Sequence, residues 1–380
     1  MVPEGWTQNT LSEIVKEKIS YGIVQAGPHI DDGVPYIKSS DVRGGITPSQ
    51  LQKTSNDIHH KYRRSAVHPG DIVFSLRGNI GEAAIVPNEL KEANLTQGTA
   101  RISVSNEHNN LFHYYQLTST SVLNHVNALS KGSTFKEISL EELRKVKVHC
   151  PPLAEQKKIA QILSTWDQAI ATTERLLDLA HQQKKALMQQ LLTGKKRFPG
   201  FEGEWKTKNL GDVCQPQQWA TISSTDLVED GYPVYGANGF IGFFSAFNHE
   251  YETVAVTCRG STCGEVSLIP AKSYITGNSM CLDDIDPAAN SYRFVYQLLR
   301  LRGFNDVISG SAQPQIVGKA IRKIKLHLPR IDEQIKIASV LSAADQEIET
   351  LQSQLDGLKQ EKKALMQALL TGKRRVSVDE

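Results

Sequence analysis

Five cysteines, Cys150, Cys214, Cys258, Cys263 and Cys281, and eleven histidines are the residues of this chain with the most reactive or metal-binding side chains. Cys258 and Cys263 have four residues between them, a spacing that could suit a metal. No second close Cys/His pair accompanies them, so ordinary strand or loop thiols are the default and no metal site is expected. An odd cysteine count without a C-x-x-C fits reduced thiols better than a disulfide framework. His59 and His60 are adjacent rather than one helical turn apart, and the other histidines are scattered. No G-x-x-x-x-G-K-[ST] loop cradles a phosphate. Cys150-Pro-Pro-Leu lacks both the amide or carboxylate and the aromatic of an amino-methyltransferase tetrapeptide. Glu89-Leu90-Lys91 lacks the Pro-Asp partner of a metal-dependent nuclease, and no local nucleophile signature is present. The chain reads as a binder without catalytic residues.

A length of 380 residues suggests two to three domains. An apolar fraction of 39% is enough for real cores. No run of about eighteen apolar residues exists to span a membrane, and the start, MVPEGWTQNTLSEIV, lacks the pattern of a secretory signal. A cytoplasmic protein is expected. The net charge of +2 neither demands nor excludes nucleic acid, because the placement of basic groups decides that rather than their sum.

The elements that would position any site are set by a repeat. Shifted by 178 positions, Glu155–Arg197 lies on Glu333–Arg375 without a gap, and about 26 of 43 positions are identical. KKALMQQLLTGKKRF at Lys184 returns as KKALMQALLTGKRRV at Lys362. Weaker echoes lie upstream: WTQNTLSEI at Trp6 resembles WKTKNLGDV at Trp205, and SLRGNIGEAAIVP at Ser75 resembles TCRGSTCGEVSLIP at Thr257. The chain is two copies of one module in tandem.

Within the matched segments Ile159, Leu163, Trp166, Ile170, Leu177, Leu187 and Leu191 step by heptad intervals. So do Ile337, Leu341, Ala344, Ile348, Leu351, Leu355, Leu358, Leu365 and Leu369 in the second copy. Pro151-Pro152 and Pro329 stop what precedes each helix, and Gly194 and Gly372 cap its end. The basic residues after each cap, Lys195 to Arg197 and Lys373 to Arg375, suit the negative end of the helix dipole. A helix of about 40 residues, roughly 60 Å long, needs a partner for its seam. The other copy supplies one, antiparallel, with pseudo-twofold symmetry. Centring the seams puts Lys362 near Trp166 and Lys184 near Ala344, the stems over apolar surface and the charges outside. Alternatively, both lysines merely end the tight part of the seam.

Upstream of each helix, short apolar runs broken by Gly and Pro read as β-strands, with short helices at Asn110–Asn127 and Ser291–Gly303. The expected fold is α+β: two β-rich domains separated by a long antiparallel two-helix coiled coil. Its segments are a first domain at 1–150, a spacer helix at 151–197, a second domain at 198–328 and a second spacer helix at 329–376. Residues Ile23–His60 and Thr221–Glu250 barely align, so the scaffold repeats while the globular faces diverge.

The combination of tandem modules with PPLAEQKKIAQIL at Pro151, PRIDEQIKIASVL at Pro329 and the twice-used KKALMQ-x-LLTGK resembles the specificity subunit of a type I restriction-modification enzyme. PVYGANGFIGFF at Pro233 is similar to a common segment of its target-recognition domains. The resemblance covers Trp6 to about Arg375. It implies that each target-recognition domain reads half of a bipartite, asymmetric DNA target. The paired helices would set the spacing and dock two modification (methyltransferase) subunits. S-adenosylmethionine would belong to those partners, and ATP and Mg to the restriction (translocase-nuclease) subunits.

For double-stranded DNA contacts, loops combining cations with small polar groups are the candidates, since Arg and Lys reach guanine edges or phosphates and Asn and Gln reach adenine. In the first module these are Lys38, Ser39, Arg43, Arg77, Asn79, Gln97, Arg101, Lys131 and Lys136. In the second they are Tyr235, Asn238, Arg259, Ser261, Thr262, Asn278, Ser311, Gln313 and Gln315. The recurrence of Arg77-Gly78 as Arg259-Gly260 suggests a phosphate contact or a turn rather than base readout. The competing reading is a coiled-coil adaptor whose two β-rich ends bind proteins or glycans.

Overall fold

The structure, a computed structural model, describes residues 2–132, 136–310 and 313–378. The chain divides into two units, residues 1–173 with 354–380, and residues 174–353.

In the first unit the strands are β1 (Thr7–Thr10), β2 (Ser20–Tyr21) and β3 (Val34–Ile37), then helix α1 (Ser39–Val42), β4 (Gln52–Thr54) and α2 (Asn56–Lys61). They are followed by β5 (Ile72–Ser75), β6 (Ala83–Ile85), β7 (Asn94–Leu95) and β8 (Thr99–Ile102). Helices α3 (Asn110–Leu117), α4 (Thr120–Leu129) and α5 (Leu140–Lys145) lead to β9 (Lys147–Cys150), and the 39-residue α6 (Leu153–Leu191) begins here. The sheets have orders β2-β8-β5-β6, β4-β3-β7 and β1-β9.

The second unit opens, after the last turns of α6, with β10 (Lys206–Asn209), β11 (Gln215–Gln218), β12 (Tyr232–Gly236) and β13 (Gly239–Phe244). Next come β14 (Thr253–Thr257), β15 (Val266–Ile269), β16 (Tyr274–Ile275), β17 (Ser279–Asp283), α7 (Tyr292–Arg302), α8 (Gly318–Ile321) and β18 (Lys325–Leu328). The 39-residue α9 (Ile331–Leu369) starts in this unit and finishes in the first. The orders β11-β17-β14-β15, β13-β12-β16 and β10-β18 repeat those of the first unit sheet for sheet.

The repeat therefore extends into the stretch where the sequences barely align. β3 pairs antiparallel with β4 and parallel with β7, and β12 pairs antiparallel with β13 and parallel with β16. What differs is the connection. Residues 38–51, including α1, join β3 to β4, whereas residues 237–238 alone join β12 to β13.

Local chemistry sets the short helices. Asn109, Ser119, Ser139 and Ser291 each accept a hydrogen bond from the backbone N–H three residues on, satisfying one orphan donor of a first turn. The expected single helix at Asn110–Asn127 is two helices. Thr118 Oγ1 donates to Tyr114 O at 3.0 Å and Ser119 Oγ to Gln116 O at 2.6 Å, and Ser119 then caps α4. These hydroxyls compete with the helical ladder and end α3.

Each unit holds one half of the antiparallel helix pair. In the first, Ile159 and Leu163 near the start of α6 pack with Leu365, Leu369 and Leu370 near the end of α9, under Phe112 and Tyr115 of α3. In the second, Leu187 and Leu191 pack with Ile337 and Leu341, under Phe294 and Leu298 of α7. Ile159, Leu163, Leu191, Ile337, Leu341, Leu355 and Leu369 are buried. Trp166, Ile170, Leu177, Leu187, Ala344, Ile348, Leu351, Leu358 and Leu365 are half-buried. The seam is tightest where α3 or α7 covers it.

The seam lysines correct one expectation. Lys362 and Lys184 come within one residue of the expected neighbours, but their ammonium groups are not outside. Lys362 Nζ pairs with Asp167 and lies 5.2 Å from the Tyr115 ring centroid, and Lys184 Nζ, in a side chain only 7% exposed, pairs with Asp345. A buried ammonium requires such a partner. Tyr115 Oη donates to Asp167 at 2.6 Å and Gln297 Nε2 to Asp345 at 2.7 Å, so the same aspartates tie α3 and α7 to the helix pair.

The terminal arginines also do more than face a helix dipole. Arg375 grips the buried Glu155 carboxylate through Nε at 2.8 Å and Nη2 at 2.9 Å, with Trp6 Nε1 adding a third donor at 3.0 Å. Arg197 grips buried Glu333 in the same way, at 2.9 and 2.7 Å. Gly194 and Gly372 have φ of +70° and +69°, the left-handed caps that turn each arginine back.

Candidate nucleic-acid interface

In each unit four loops meet at one edge of the sheets. In the first unit Thr96 N donates to Ile37 O at 3.0 Å, Leu76 N to Gly98 O at 2.8 Å and Ile138 N to Leu76 O at 3.1 Å, while Arg77 and Lys131 both bridge to Glu137. In the second, Thr276 N donates to Tyr235 O at 2.9 Å, Cys258 N to Asn278 O at 3.0 Å and Ile316 N to Cys258 O at 3.0 Å, while Arg259 and Ser309 both bridge to Gln315. Bond for bond, one main-chain frame holds both clusters. The side chains it presents differ.

In the first cluster the Lys38 backbone N–H donates to Asp41 Oδ2 at 2.9 Å and Ser39 Oγ donates to Gly98 O at 2.9 Å. A Cβ on Gly98 would stand 2.9 Å from Ser39 Oγ, so glycine permits the close approach. Arg77 Nη2 pairs with Glu137 at 2.9 Å, and exposed Arg43 lies 3.8 Å from Glu82. Gln97 is half-buried, and Asn79, Lys131 and Lys136 are exposed. Arg101 stands apart. It is 4% exposed on β8, between β2 and β5, and donates to Ala66 O and Glu17 Oε2, each at 2.6 Å.

In the second cluster Ala237 O accepts from both Thr257 Oγ1 and Thr262 Oγ1 at 3.1 Å, and Thr262 Oγ1 lies 3.2 Å from Asn238 Oδ1. Tyr235, Asn238, Arg259, Thr262, Asn278 and Gln315 are thereby brought together. Ser261 and Gln313 are exposed on the same loops, and Ser311 lies outside the described residues. Arg259, facing the neutral Gln315, has no ion pair among the described residues, unlike Arg77. Burial raises the Cys258 and Cys263 thiols above the usual range, and Gln218 Nε2 donates to Cys258 Sγ at 3.0 Å. Neither belongs to a cluster of metal-ligating groups among the described residues.

A further basic run lies outside the loops that combine cations with small polar groups: Lys61, Arg63 and Arg64 are exposed, and Lys61 and Arg64 flank the Tyr62 ring at 5.8 and 5.9 Å. The string HHKYRR at His59 was the available signal.

The family model described as the type I restriction modification DNA specificity domain matches residues 3–181 and 202–360. The chain belongs to this family of specificity subunits. Among its relatives are the type I restriction enzyme MjaVIII specificity subunit of Methanocaldococcus jannaschii, 24% identical over 99% of this chain and 94% of that one, and the EcoprrI specificity subunit of Escherichia coli, 26% identical over 82% and 80%. The solved S subunit of a type I system from M. genitalium has the same fold, with a TM-score of 0.71 at 18% identity, covering 97% of this chain and 99% of that one. As a specificity subunit the chain is a DNA-recognition component rather than a catalyst, and the adaptor reading falls away. No helix among the described residues is long and apolar enough to cross a membrane.

Proposed function

We propose that the target-recognition domains at 1–150 and 198–328 each read one half of a bipartite, asymmetric DNA target. The spacer helices at 151–197 and 329–376 set the distance between half-sites and dock two modification subunits. The observation carrying this reading is the shared hydrogen-bond frame around Leu76 and Cys258, which presents unlike side chains in the two units. Similar frames give similar approaches to a duplex, and unlike side chains give unlike half-sites. Lys38, Arg43, Arg77, Lys131, Lys136, Arg259 and the Lys61–Arg64 run supply phosphate contacts, Asn79, Gln97, Asn238, Asn278, Gln313 and Gln315 the base edges, and Arg101 an internal strut.

The methyl donor S-adenosylmethionine belongs to the modification subunits, and ATP with Mg to the restriction subunits, all in the cytoplasm. The test is to co-express the chain with its modification subunit and map methylated adenines by single-molecule sequencing. Two different short motifs at a fixed gap are expected. A single uninterrupted motif, or two identical half-sites, overturns the reading.

A further inference from the structure

His108, His113 and Cys150 converge in the first unit, each offering a ligand atom within 4.8 Å of the others. His113 is fully buried, and among the described residues its one polar side-chain contact is the one its Nε2 makes with His108. His108 Nδ1 and His113 Nε2 are 3.4 Å apart, long for a hydrogen bond. That separation is about the edge of a tetrahedron whose centre lies roughly 2.0–2.1 Å from each nitrogen. Cys150 Sγ, 5% exposed, has no side-chain partner among the described residues, only the main chain of Val148, whose O is 3.9 Å away, and of Asn9. Half-buried His108 leaves a route from solvent.

We propose that His108, His113 and Cys150 form a site for one zinc ion, with solvent as fourth ligand. Two imidazoles and a thiolate suit a borderline-soft cation. On binding, Cys150 gives its proton to solvent and the sulfur pair forms the metal bond, so one proton leaves per ion. Gln156 keeps its 2.8 Å bonds to Asn109 N and Pro151 O, and only its 3.3 Å contact with His108 Nδ1 yields. The metal would fasten the start of α3 to β9, the strand that runs into α6.

The second unit provides an internal comparison. Gln334 holds Ser291 N and Pro329 O as Gln156 holds Asn109 N and Pro151 O, which aligns the two places. There the three positions are Asn290, Val295 and Leu328, so the fold itself requires no imidazole or thiol. The other cluster of this kind, His249 with Cys281 and Asp283, is closed by hydrogen bonding: His249 Nδ1 lies 2.6 Å from Asn248 Oδ1 and Nε2 3.1 Å from Asp283 Oδ1.

The test is titration of the chelator-stripped full chain with cobalt(II). One equivalent is expected to give visible bands of tetrahedral cobalt and a near-ultraviolet thiolate charge-transfer band, both bleached by one equivalent of zinc. Cys150→Leu and His113→Val, the residues used by the second unit, abolish the charge-transfer band or binding while the far-ultraviolet circular dichroism is kept. His108→Asn, at the half-exposed position, weakens cobalt binding at least tenfold, and Cys263→Ser leaves it unchanged. Absence of the charge-transfer band in the native chain, or its persistence in Cys150→Leu, overturns the proposal. The native spectrum alone decides if a core variant fails to fold.

Discussion

Lys362 closes an ion pair on Asp167, and Lys184 closes the same pair on Asp345, so each unit carries its own charged clasp between α6 and α9. Replacing Asp345 by Ala leaves the Lys184 ammonium buried without its acid and is expected to destabilise the chain by about 3 kcal/mol. Adding Lys184→Met should recover most of that loss. A double-mutant cycle in chemical denaturation measures it, and additive single effects would contradict the pairing.

Glu155 and Glu333 should not be equivalent. Glu155 accepts from Arg375 and Trp6, whereas Glu333 accepts from Arg197 without the matching tryptophan. Glu155→Ala is expected to cost about 1.5 kcal/mol more than Glu333→Ala, the lower end of what one further hydrogen bond to a charged acceptor contributes. Urea midpoints of the two variants test the ranking.

Arg259 and Arg77 occupy matched turns, but only Arg77 is already committed to an acid, Glu137. Arg259→Ala is therefore expected to weaken duplex binding more than Arg77→Ala, and to lower the salt slope by about one if the contact is to phosphate. Glu137→Gln should strengthen binding by freeing Arg77. Fluorescence anisotropy of the complex across a salt series reads all three.

Base readout should be separable by unit. Asn238→Ala is expected to relax specificity in one half-site by about 1–3 kcal/mol while discrimination in the other is unchanged. Methylation rates on duplexes substituted in one half at a time provide the measurement.

Alkaline stability depends on the buried thiols. Burial pushes Cys214 up to about 12, so above about pH 9 the unfolded chain loses a proton that the folded chain keeps. Stability from this group is complete below that pH and falls as pH rises, by about 1.4 kcal/mol per unit at most. Cys214→Ala should flatten the decline between pH 9 and 11 in denaturation experiments.

The long helices were plain in the sequence because a heptad seam and a near-verbatim repeat both mark them. Asp167 and Asp345 were not, since each sits one position off the seam, where periodicity assigns no role. The shared sheet around β3 and β12 was hidden by the insertion at 38–51, which breaks alignment while leaving strand pairing intact. Arg101 looked like a surface cation because its acid, Glu17, is 84 positions away and its strand is buried throughout. The RG turns were legible, and their role in the loop frame was not, because main-chain hydrogen bonds leave no mark on residue identity.

The joint between β3 and β4 accepts a fourteen-residue passage including a helix, and its counterpart between β12 and β13 closes in two residues, yet the strands on either side pair alike. Strand pairing at this joint therefore does not depend on the length of what connects the strands. If these loops read DNA as proposed, a library randomised at 38–51 or 237–238 is expected to change the sequence recognised while the strands on either side still pair.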